Sequence, residues 1–330
     1  MSPEKNSKRR FKFCSVEKDF GLKSDTQSRP KVSVVINSYN YARFLGRAIE
    51  SGLRQKAPGV DVEIVVVDDG STDKTPEVAA AYTGRIRYYR QSNGGQSAAI
   101  HSGCQLAEGD FICLLDADDE FAENKVARVL EAFAEDGSRG AVYNSYDRMD
   151  AAGVLIGEHA VWSRAGQDVR QYGLFWMAGG VPTSCISLRR DVARKLVMPK
   201  EFRLCADTYI LAALPHLTRI GWINDPLTFY RIHGENAFAT QEQAQQRKLM
   251  LQNWRIIHST LKQAYGVELS SAVFEIQEQR AAAKPWSALA STCFAGLIYI
   301  VRAEASTRMK LRETAKLVAT AMGLHRSLTE

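Results

Sequence analysis

The sequence predicts an α/β fold, in which a mainly parallel sheet is flanked by helices and is followed by a helical C-terminal region. Three short apolar runs rich in branched residues, at 32–36, 63–67 and 111–115, have the pattern of strands that are buried on both faces. Helical patterns separate these runs, and alternating strands and helices form right-handed crossovers around a parallel sheet. Ligands of such a sheet bind beyond the carboxyl ends of its strands.

Each helix between the strands has its own signal. The first carries its small and apolar residues on one face: Leu45, Ala48, Ile49 and Gly52. The second is predicted to begin with Thr75 as its N-cap and Pro76 at its first position. The third is predicted over 96–107, and from about residue 241 onward the pattern becomes helical and polar.

The composition is that of an ordinary globular protein. The 330 residues are 45% hydrophobic and 24% charged, which excludes wholesale disorder and provides enough apolar surface for a core without disulfides or a structural metal. The six cysteines contain no CxxC pair, and several lie in apolar runs. We therefore expect reduced, buried thiols in a cytosolic protein.

The net charge of +6 is concentrated at the two ends of the chain. Residues 1–30 carry a net +4 and residues 302–330 a net +3, so that the body between them has a net charge of −1. A nearly neutral body has no broad basic face, and no RNP or zinc-finger signature is present. Nucleic acid is therefore not an expected partner.

The polar N-terminal tail has no apolar segment of a secretory signal, so a cytoplasmic location is expected. The apolar stretch 285–301 is slightly short for a bilayer span and contains Ser, Thr and Gly. Basic residues follow it, and the segment 285–316 suits peripheral contact with the inner face of a membrane. A helix that packs on its own domain, with a solvated charged face, is the alternative.

Polar clusters follow the three predicted strands, at 37–40, 68–73 and 116–119, and should converge on one edge of the sheet. In the last cluster Asp116 and Asp118 flank Ala117. Carboxylates at this spacing suit Mg²⁺ or Mn²⁺, which bind through one or two carboxylates together with phosphates and water. Capping of the following helix is the alternative role for these acids.

The cluster after the second strand suggests a different task. Gly70 permits a tight turn, and Asp68 or Asp69 held there can accept hydrogen bonds from a base or from ribose hydroxyls. Tyr39, at the neighbouring strand end, offers an aromatic face for a base. A core aromatic and an ordinary turn are the structural alternatives.

Four ordered motifs resemble the nucleotide-sugar half of glycosyltransferase family 2, the inverting transferases of the GT-A fold. They are VSVVINSYNYARFLGRAIESGLRQ, EIVVVDDGSTDKT, NGGQSAAIHSG and GDFICLLDADDE, which together cover residues 31 to about 120. A weaker likeness to the acceptor half covers 204–236. The resemblance implies a GT-A catalytic domain at 31–240, divided near 120. It does not cover the polar basic tail at 1–30 or the region at 241–330, which the sequence pattern predicts to be helical.

For the donor, the resemblance implies that Tyr39 stacks near the uracil or other base and that two acid pairs bind the rest of the nucleotide. Asp68 and Asp69 would hold base and ribose, while Asp116, Ala117 and Asp118 would meet the ribose and the metal-bound diphosphate. The remaining donor-binding candidates are Asn37, Asn93 and Gln96.

The third motif departs from the family pattern. The family usually continues this stretch with an Arg-Asn pair, where this chain has Ile100 and His101. Gln96 and Ser97 lie at the start of the predicted helix, where free N–H groups are suited to face the donor. We therefore expect the start of this helix to compensate for the missing arginine.

Three residues of the second likeness have implied roles. Asp207 matches the catalytic base, although Ala206 replaces the acid that commonly precedes it. An inverting transfer needs such a carboxylate opposite the leaving diphosphate to accept the proton of the acceptor hydroxyl. His233 lies where some relatives place a metal ligand or a diphosphate contact, and a structural role is its alternative. Arg231 is a further candidate for the diphosphate charge.

The resemblance implies a metal-dependent inverting transfer of one sugar from a nucleotide-diphosphate sugar to an acceptor hydroxyl. The donor is expected to be UDP-linked. The acceptor is expected to be a glycan or lipid-linked molecule in glycan, polysaccharide or cell-surface precursor synthesis. The cofactor is Mn²⁺ or Mg²⁺. Ala281 stands where processive synthases have the Trp of QxxRW. The alternatives are a catalytically silent nucleotide-sugar-binding module and a sugar nucleotidyltransferase, although the latter should have a Gly-rich phosphate loop after the first strand, and 37–41 has none.

Overall fold

The computed structural model describes residues 29–156, 181–234, 236 and 243–267. The strands in these ranges are β1 Lys31–Ser38, β2 Asp61–Asp68, β3 Arg87–Arg90, β4 Phe111–Asp116, β5 Glu120–Phe121, β6 Arg139–Met149, β7 Ile186–Arg189 and β8 Arg219–Arg231. The helices are α1 Ala42–Leu53, α2 Thr75–Ala80, α3 Gln96–Leu106, α4 Lys125–Glu135, α5 Arg190–Lys195, α6 Ala206–Leu217 and α7 Gln243–Tyr265.

The strands form one sheet in the order β3-β2-β1-β4-β7-β6-β8-β5. The four strands β1 to β4 are parallel to one another, and β6 and β8 form a further parallel pair. β7 runs antiparallel between β4 and β6, and β5 runs antiparallel beside β8. The predicted α/β fold is confirmed, and the antiparallel strands belong to the part of the chain after residue 116, where no strand pattern was identified.

Successive residues of each central strand enter different apolar clusters, because side chains alternate between the two faces of a sheet. In β1, Val35 joins a cluster with α3, α5, α6 and α7, while Val34 and Ile36 join another with α1, α2 and α4. The sheet is therefore covered by helices on both faces, which explains why its strands are continuous apolar runs.

The predicted strands lie within β1, β2 and β4, and the helix predicted over 96–107 is α3. The predicted start of the second helix is wrong by one residue: Thr75 is inside α2, and Lys74 occupies the N-cap. The physical reason is Asp73, whose Oδ1 accepts the Thr75 N–H at 3.0 Å and whose Oδ2 accepts the Ala42 N–H at 3.0 Å. One carboxylate thus fixes the first turns of two helices.

The long helix α7 packs against the sheet through Trp254, Ile257 and Leu261, which are all buried. The predictions for the tail at 1–28, for 277–281 and for membrane contact through 285–316 concern residues outside the described ranges. Within those ranges, no helix combines the length and the apolar character that a bilayer span requires. The four described cysteines, Cys104, Cys113, Cys185 and Cys205, are free thiols, as predicted.

Candidate active site at the carboxyl ends of the strands

The carboxyl ends of β1, β2 and β4 are level with one another. Ser38 pairs with Asp68 across β1 and β2, and Asn37 pairs with Asp116 across β1 and β4. The three polar clusters therefore meet at one edge of the sheet, as predicted.

Tyr39 is presented to solvent at this edge. Its side chain is 45% exposed, although it directly follows a buried strand. The next residue, Asn40, has a left-handed backbone with φ of 58°, and it is held on both sides: Asn40 N donates to Ser71 Oγ at 2.9 Å, and Thr72 N donates to Asn40 Oδ1 at 2.7 Å. The turn is thus fixed to the loop after β2, and the Tyr39 ring is available to a ligand.

Asp68 is fully buried, and the protein itself occupies its carboxylate. Ser71 N donates to Oδ1 at 2.8 Å, Tyr88 Oη donates to Oδ2, and Arg90 Nε lies 3.5 Å from Oδ2. Gly70, with a φ of 80°, makes the tight turn that the sequence predicts. Asp68 therefore shapes the loop after β2, and its contact with a nucleotide stays a prediction.

Asp69 organises the loop that leads into α3. Its carboxylate accepts the N–H of Gly94 at 2.9 Å, the N–H of Gly95 at 2.6 Å and the amide Nε2 of Gln91 at 2.7 Å. Three donors on one carboxylate fix the course of this loop. Its contact with ribose likewise stays a prediction.

The loop before α3 is in close contact with the segment that precedes α6. Gly95 has a φ of 89°, and a Cβ on it would lie 2.6 Å from Arg203 Cα. Arg203 also accepts the Gln96 N–H at 2.9 Å through its carbonyl oxygen, and its guanidinium donates to Asn93 Oδ1. The Gln96 N–H is therefore bound to the protein, which corrects the prediction for this one group. The predicted contact of the next N–H groups of α3, beginning at Ser97, with the donor stays a prediction.

We expect Gly95→Ala to lower the free energy of unfolding by at least about 2 kcal/mol, because the new methyl group meets backbone atoms of Arg203 in a left-handed conformation. Gly59→Ala is the matched control, since Gly59 has a φ of 75° with nothing within 4 Å of the added Cβ. Urea denaturation of both variants measures the difference between them. Equal losses of stability would contradict the close packing of Gly95 on Arg203.

The end of β4 holds Asp116 between two elements. Its Oδ1 accepts the amide Nε2 of Gln96 at 3.1 Å, and its main-chain N–H donates to Ser184 Oγ at 3.0 Å. Burial, followed by the charge of Asp118, raises the pKa of the Asp116 carboxyl to about 7. Ala117 is buried, and its N–H donates to Asn37 O at 3.1 Å, so this residue orients the two acids on either side of it.

Asp118 and His233, two of the predicted metal ligands, lie in direct contact. His233 Nε2 is 3.1 Å from Asp118 Oδ2. The imidazole ring packs on Phe44 with a centroid distance of 4.7 Å and against Tyr41 at 5.8 Å. Both side chains are largely buried, so the pair has a defined position at the rim of the sheet.

The residues at the rim fit an open cation site. Burial, followed by the charge of Asp118, raises the pKa of both the Asp116 and the Asp119 carboxyls, and Asp116 also raises that of Asp119. In the described part of the chain no lysine or arginine pairs with the carboxylate of Asp116 or Asp118. No three acids, histidines or cysteines there close a metal site among themselves. Mg²⁺ usually binds to proteins through one or two carboxylates together with substrate phosphates and water.

Arg231 is not available for a diphosphate, which corrects the prediction for this residue. It is fully buried, and its guanidinium donates to Asp118 O at 2.7 Å, to Glu120 Oε1 at 2.5 Å and to main-chain oxygens at 150 and 151. Phe44 covers its plane at 5.0 Å. Arg231 therefore holds the β4–β5 turn in place.

Three residues beside this rim, Ser184, Asp119 and Tyr230, were not given a role in the site from the sequence. Ser184 Oγ donates to Asp119 Oδ2 at 2.6 Å, and Asp119 Oδ1 accepts the Arg231 N–H at 2.9 Å. Burial and nearby carboxylates raise the pKa of the Tyr230 hydroxyl, so that it remains a hydrogen bond donor. Asp119 and Tyr230 lie inside the DADDE and YRIHG runs, which was a usable signal, whereas Ser184 lies in no motif.

Asp207 lies in the first turn of α6. Thr208 N donates to Asp207 Oδ1 at 2.7 Å, and burial raises the pKa of the Asp207 carboxyl to about 6. The Asp207 charge also contributes to the raised pKa of Asp116, so both acids belong to one electrostatic environment. A carboxylate with this pKa is suited to accept a proton near neutral pH.

The departure from the family pattern at Ile100 has a structural cause. Ile100 is 1% exposed and belongs to the apolar cluster between α3 and the sheet. A side chain at this position faces the core, so it makes no contact with a ligand at the strand ends. Residue 100 therefore does not provide the donor contact that the arginine of the family pattern would imply.

A family model for glycosyl transferase family 2 matches residues 33–197. An uncharacterized glycosyltransferase of Nostoc sp. is 35% identical over 229 residues, which cover 64% of this chain and 70% of that protein. An uncharacterized glycosyltransferase of Rickettsia typhi is 35% identical over 130 residues, which cover 39% of this chain and 40% of that protein. A chondroitin synthase of Pasteurella multocida is 34% identical over 136 residues, which cover 40% of this chain and 14% of that protein.

Two solved structures share the fold. TarS of S. aureus, residues 1–349 in complex with UDP, has a TM-score of 0.54 and 15% identity, and the match covers 89% of this chain and 92% of that one. A mannosyltransferase from Pyrobaculum calidifontis, in complex with GDP-Man and Mn²⁺, has a TM-score of 0.51 and 20% identity, with coverage of 92% and 84%. At these identities the likeness shows the fold.

Proposed function

Because this chain belongs to glycosyltransferase family 2, we propose that it transfers one sugar from a nucleoside-diphosphate sugar to an acceptor hydroxyl, with UDP as the expected carrier. The observation that supports this most is the acidic end of β4, level with the exposed Tyr39 and in the same electrostatic environment as Asp207. A glycan or lipid-linked precursor is the proposed acceptor class.

The proposed donor site is the edge between Tyr39 and the end of β4. Tyr39 stacks on the base, because its ring is exposed and its turn is held from both sides. Asn37 and Asp116 lie side by side on neighbouring strands, where ribose hydroxyls have both an amide and a carboxylate to bind. TarS was solved with UDP and the mannosyltransferase with GDP-Man, which supports a nucleotide as a ligand of this chain.

Asp118, with Asp116 and His233 beside it, is the proposed holder of Mn²⁺ or Mg²⁺. When bound, the ion supplies Lewis-acid stabilisation of the charge on the departing diphosphate. The protein's own contribution is to keep the Asp118 carboxylate at the rim through the Arg231 bond to its carbonyl and the packed imidazole of His233. The Mn²⁺ named for the Pyrobaculum structure supports this choice of ion.

Asp207 is the proposed catalytic base. Thr208 N–H holds Oδ1, which leaves Oδ2 to accept the proton of the acceptor hydroxyl. The deprotonated oxygen then attacks the anomeric carbon as the bond to the diphosphate breaks on the opposite face. This inverting route gives a β-linked product from an α-linked donor.

The pH dependence of the reaction should report Asp207. Its raised pKa means that the ionised, proton-accepting form is lost as the pH falls through about 6. We expect kcat/KM to fall at least about tenfold per pH unit below that value. The fall should already begin near pH 7, because Asp116, whose pKa is raised to about 7, loses its charge there. Initial rates at saturating Mn²⁺ between about pH 5 and 8 measure the profile, and a flat profile over this range would contradict the role of Asp207.

A mass-spectrometric screen of nucleotide sugars, with Mn²⁺ and without an acceptor, tests the proposed function. Slow release of the free nucleoside diphosphate is the expected result, because water replaces the acceptor hydroxyl. Tight nucleotide binding without turnover, even with mixtures of acceptors, would indicate a silent binding module instead.

A further inference from the structure

Gln96, the first residue of α3, connects the end of β4 with the start of α6 through its side-chain amide. Nε2 donates to Asp116 Oδ1 at 3.1 Å and to Thr183 Oγ1 at 3.3 Å, while Oε1 accepts the Ala206 N–H at 3.0 Å. Both ends of the amide are thus bound by protein groups from three different segments.

The bond to Ala206 has a specific consequence for α6. The first N–H groups of a helix lack partners within the helix, and Cys205, at the N-cap of α6, makes no side-chain capping bond. Cys205 also has a left-handed backbone with φ of 61°. Gln96 therefore caps α6 from another part of the chain.

We propose that Gln96 is a positioning residue, which holds the first turn of α6, and with it Asp207, in a fixed place relative to the acidic end of β4. This proposal rests on the proposed function, in which Asp116 belongs to the donor side and Asp207 is the base. Asp207 and the diphosphate bound at the acidic end of β4 must lie on opposite faces of the same sugar carbon, and a misplacement of about 1 Å costs on the order of 10²-fold in rate.

Three substitutions of Gln96 distinguish the role of the donor Nε2 from the role of the acceptor Oε1. Gln96→Met removes both ends at similar size. Gln96→Lys keeps a donor toward Asp116 but has no acceptor for the Ala206 N–H. Gln96→Glu keeps that acceptor but loses the donors.

Gln55→Met is the matched control. The Gln55 amide also makes three bonds: Nε2 donates to Ser51 O and Ala122 O, and Oε1 accepts the Val126 N–H in the first turn of α4. It lies at the end of α1 and contacts none of the proposed donor or base residues. Gln55→Met should lower the melting temperature as much as Gln96→Met and leave kcat within about twofold of wild type.

We expect Gln96→Met and Gln96→Lys to lower kcat at saturating donor at least about tenfold. The Kd for UDP with Mn²⁺ should change as well, because both variants alter the group that contacts Asp116 of the proposed donor site. Hydrogen exchange of the ligand-free protein gives an independent result: the Ala206 amide should exchange faster in these two variants and at the wild-type rate in Gln96→Glu. A kcat for Gln96→Met equal to that of Gln55→Met, or unchanged exchange at Ala206, would overturn the proposal.

Failure of the proposed function gives a different result from failure of this proposal. If the wild-type protein turns over no nucleotide sugar, the proposed function is wrong, and the exchange comparison still decides whether Gln96 holds α6. If the wild-type protein is active and Gln96→Met retains its kcat, only the role of Gln96 is wrong.

Discussion

Asp207→Asn is expected to lower kcat by about 10²- to 10⁴-fold, which is the usual contribution of a general base. In the wild-type protein the Thr208 N–H donates to Asp207 Oδ1, and the carbonyl oxygen of asparagine, which has the same shape, can accept the same bond. The asparagine amide cannot accept the proton of the acceptor hydroxyl. Because Asp207 is separate from the proposed nucleotide contacts, the affinity for UDP in the presence of Mn²⁺ should change little. Steady-state rates and calorimetry on the same preparation measure the two effects.

Asp191→Asn is the control for a role of Asp207 in stabilising its helix. Asp191 occupies the first turn of α5, as Asp207 does in α6, and its side chain is exposed and paired with Lys195. Both variants remove an acid that interacts favourably with a helix N-terminus, an effect of about 0.3–1 kcal/mol. If Asp207→Asn retains wild-type turnover, or if Asp191→Asn loses as much activity, Asp207 is not the base.

Asp118→Asn is expected to remove the enhancement of donor binding by Mn²⁺ and to lower kcat/KM by at least about 10²-fold. The ion stabilises developing charge by several kcal/mol when its ligands are complete, and an amide is a weak replacement for a carboxylate. The main-chain bond from Arg231 to Asp118 O remains in the variant, so the turn itself should persist. Rates measured across a range of Mn²⁺ concentrations test this.

Asp110→Asn is the matched control for Asp118. Asp110 lies directly before β4, at the end of that strand opposite to Asp118, and its carboxylate pairs with Arg190. Asp110→Asn changes the net charge of the protein by the same amount as Asp118→Asn, but it leaves the acids at the carboxyl end of β4 intact. A wild-type Mn²⁺ response in Asp118→Asn would remove this residue from the metal site.

The strand ends were predictable because buried parallel strands have a strong local signature. The runs that became β1, β2 and β4 each end in polar residues, and parallel pairing brings such ends together regardless of the loops between them. Tyr39, Asp116 and Asp118 therefore lie where the sequence places them. The strands after residue 116 were not predicted, because they are short, antiparallel or irregular. The pairing of β6 with β8, for example, contains register shifts.

The partners of the site residues were not predictable from local pattern. Arg231 resembles a phosphate ligand in the sequence, but the acceptors at Asp118, Glu120 and 150–151 come from distant positions in the chain and bury it. Gln96 likewise binds Ala206, 110 residues away. Such contacts depend on how the loops pack, which periodicity and spacing do not encode.

Isothermal titration of the wild-type protein with UDP, in the presence of Mn²⁺ and in the presence of a chelator, tests the central claim most directly. If the acidic rim at Asp116 and Asp118 binds a cation and the cation binds the diphosphate, the affinity for UDP should be at least about tenfold higher with Mn²⁺. Equal affinity in the two conditions, for UDP and for other nucleoside diphosphates tested in the same way, would contradict it.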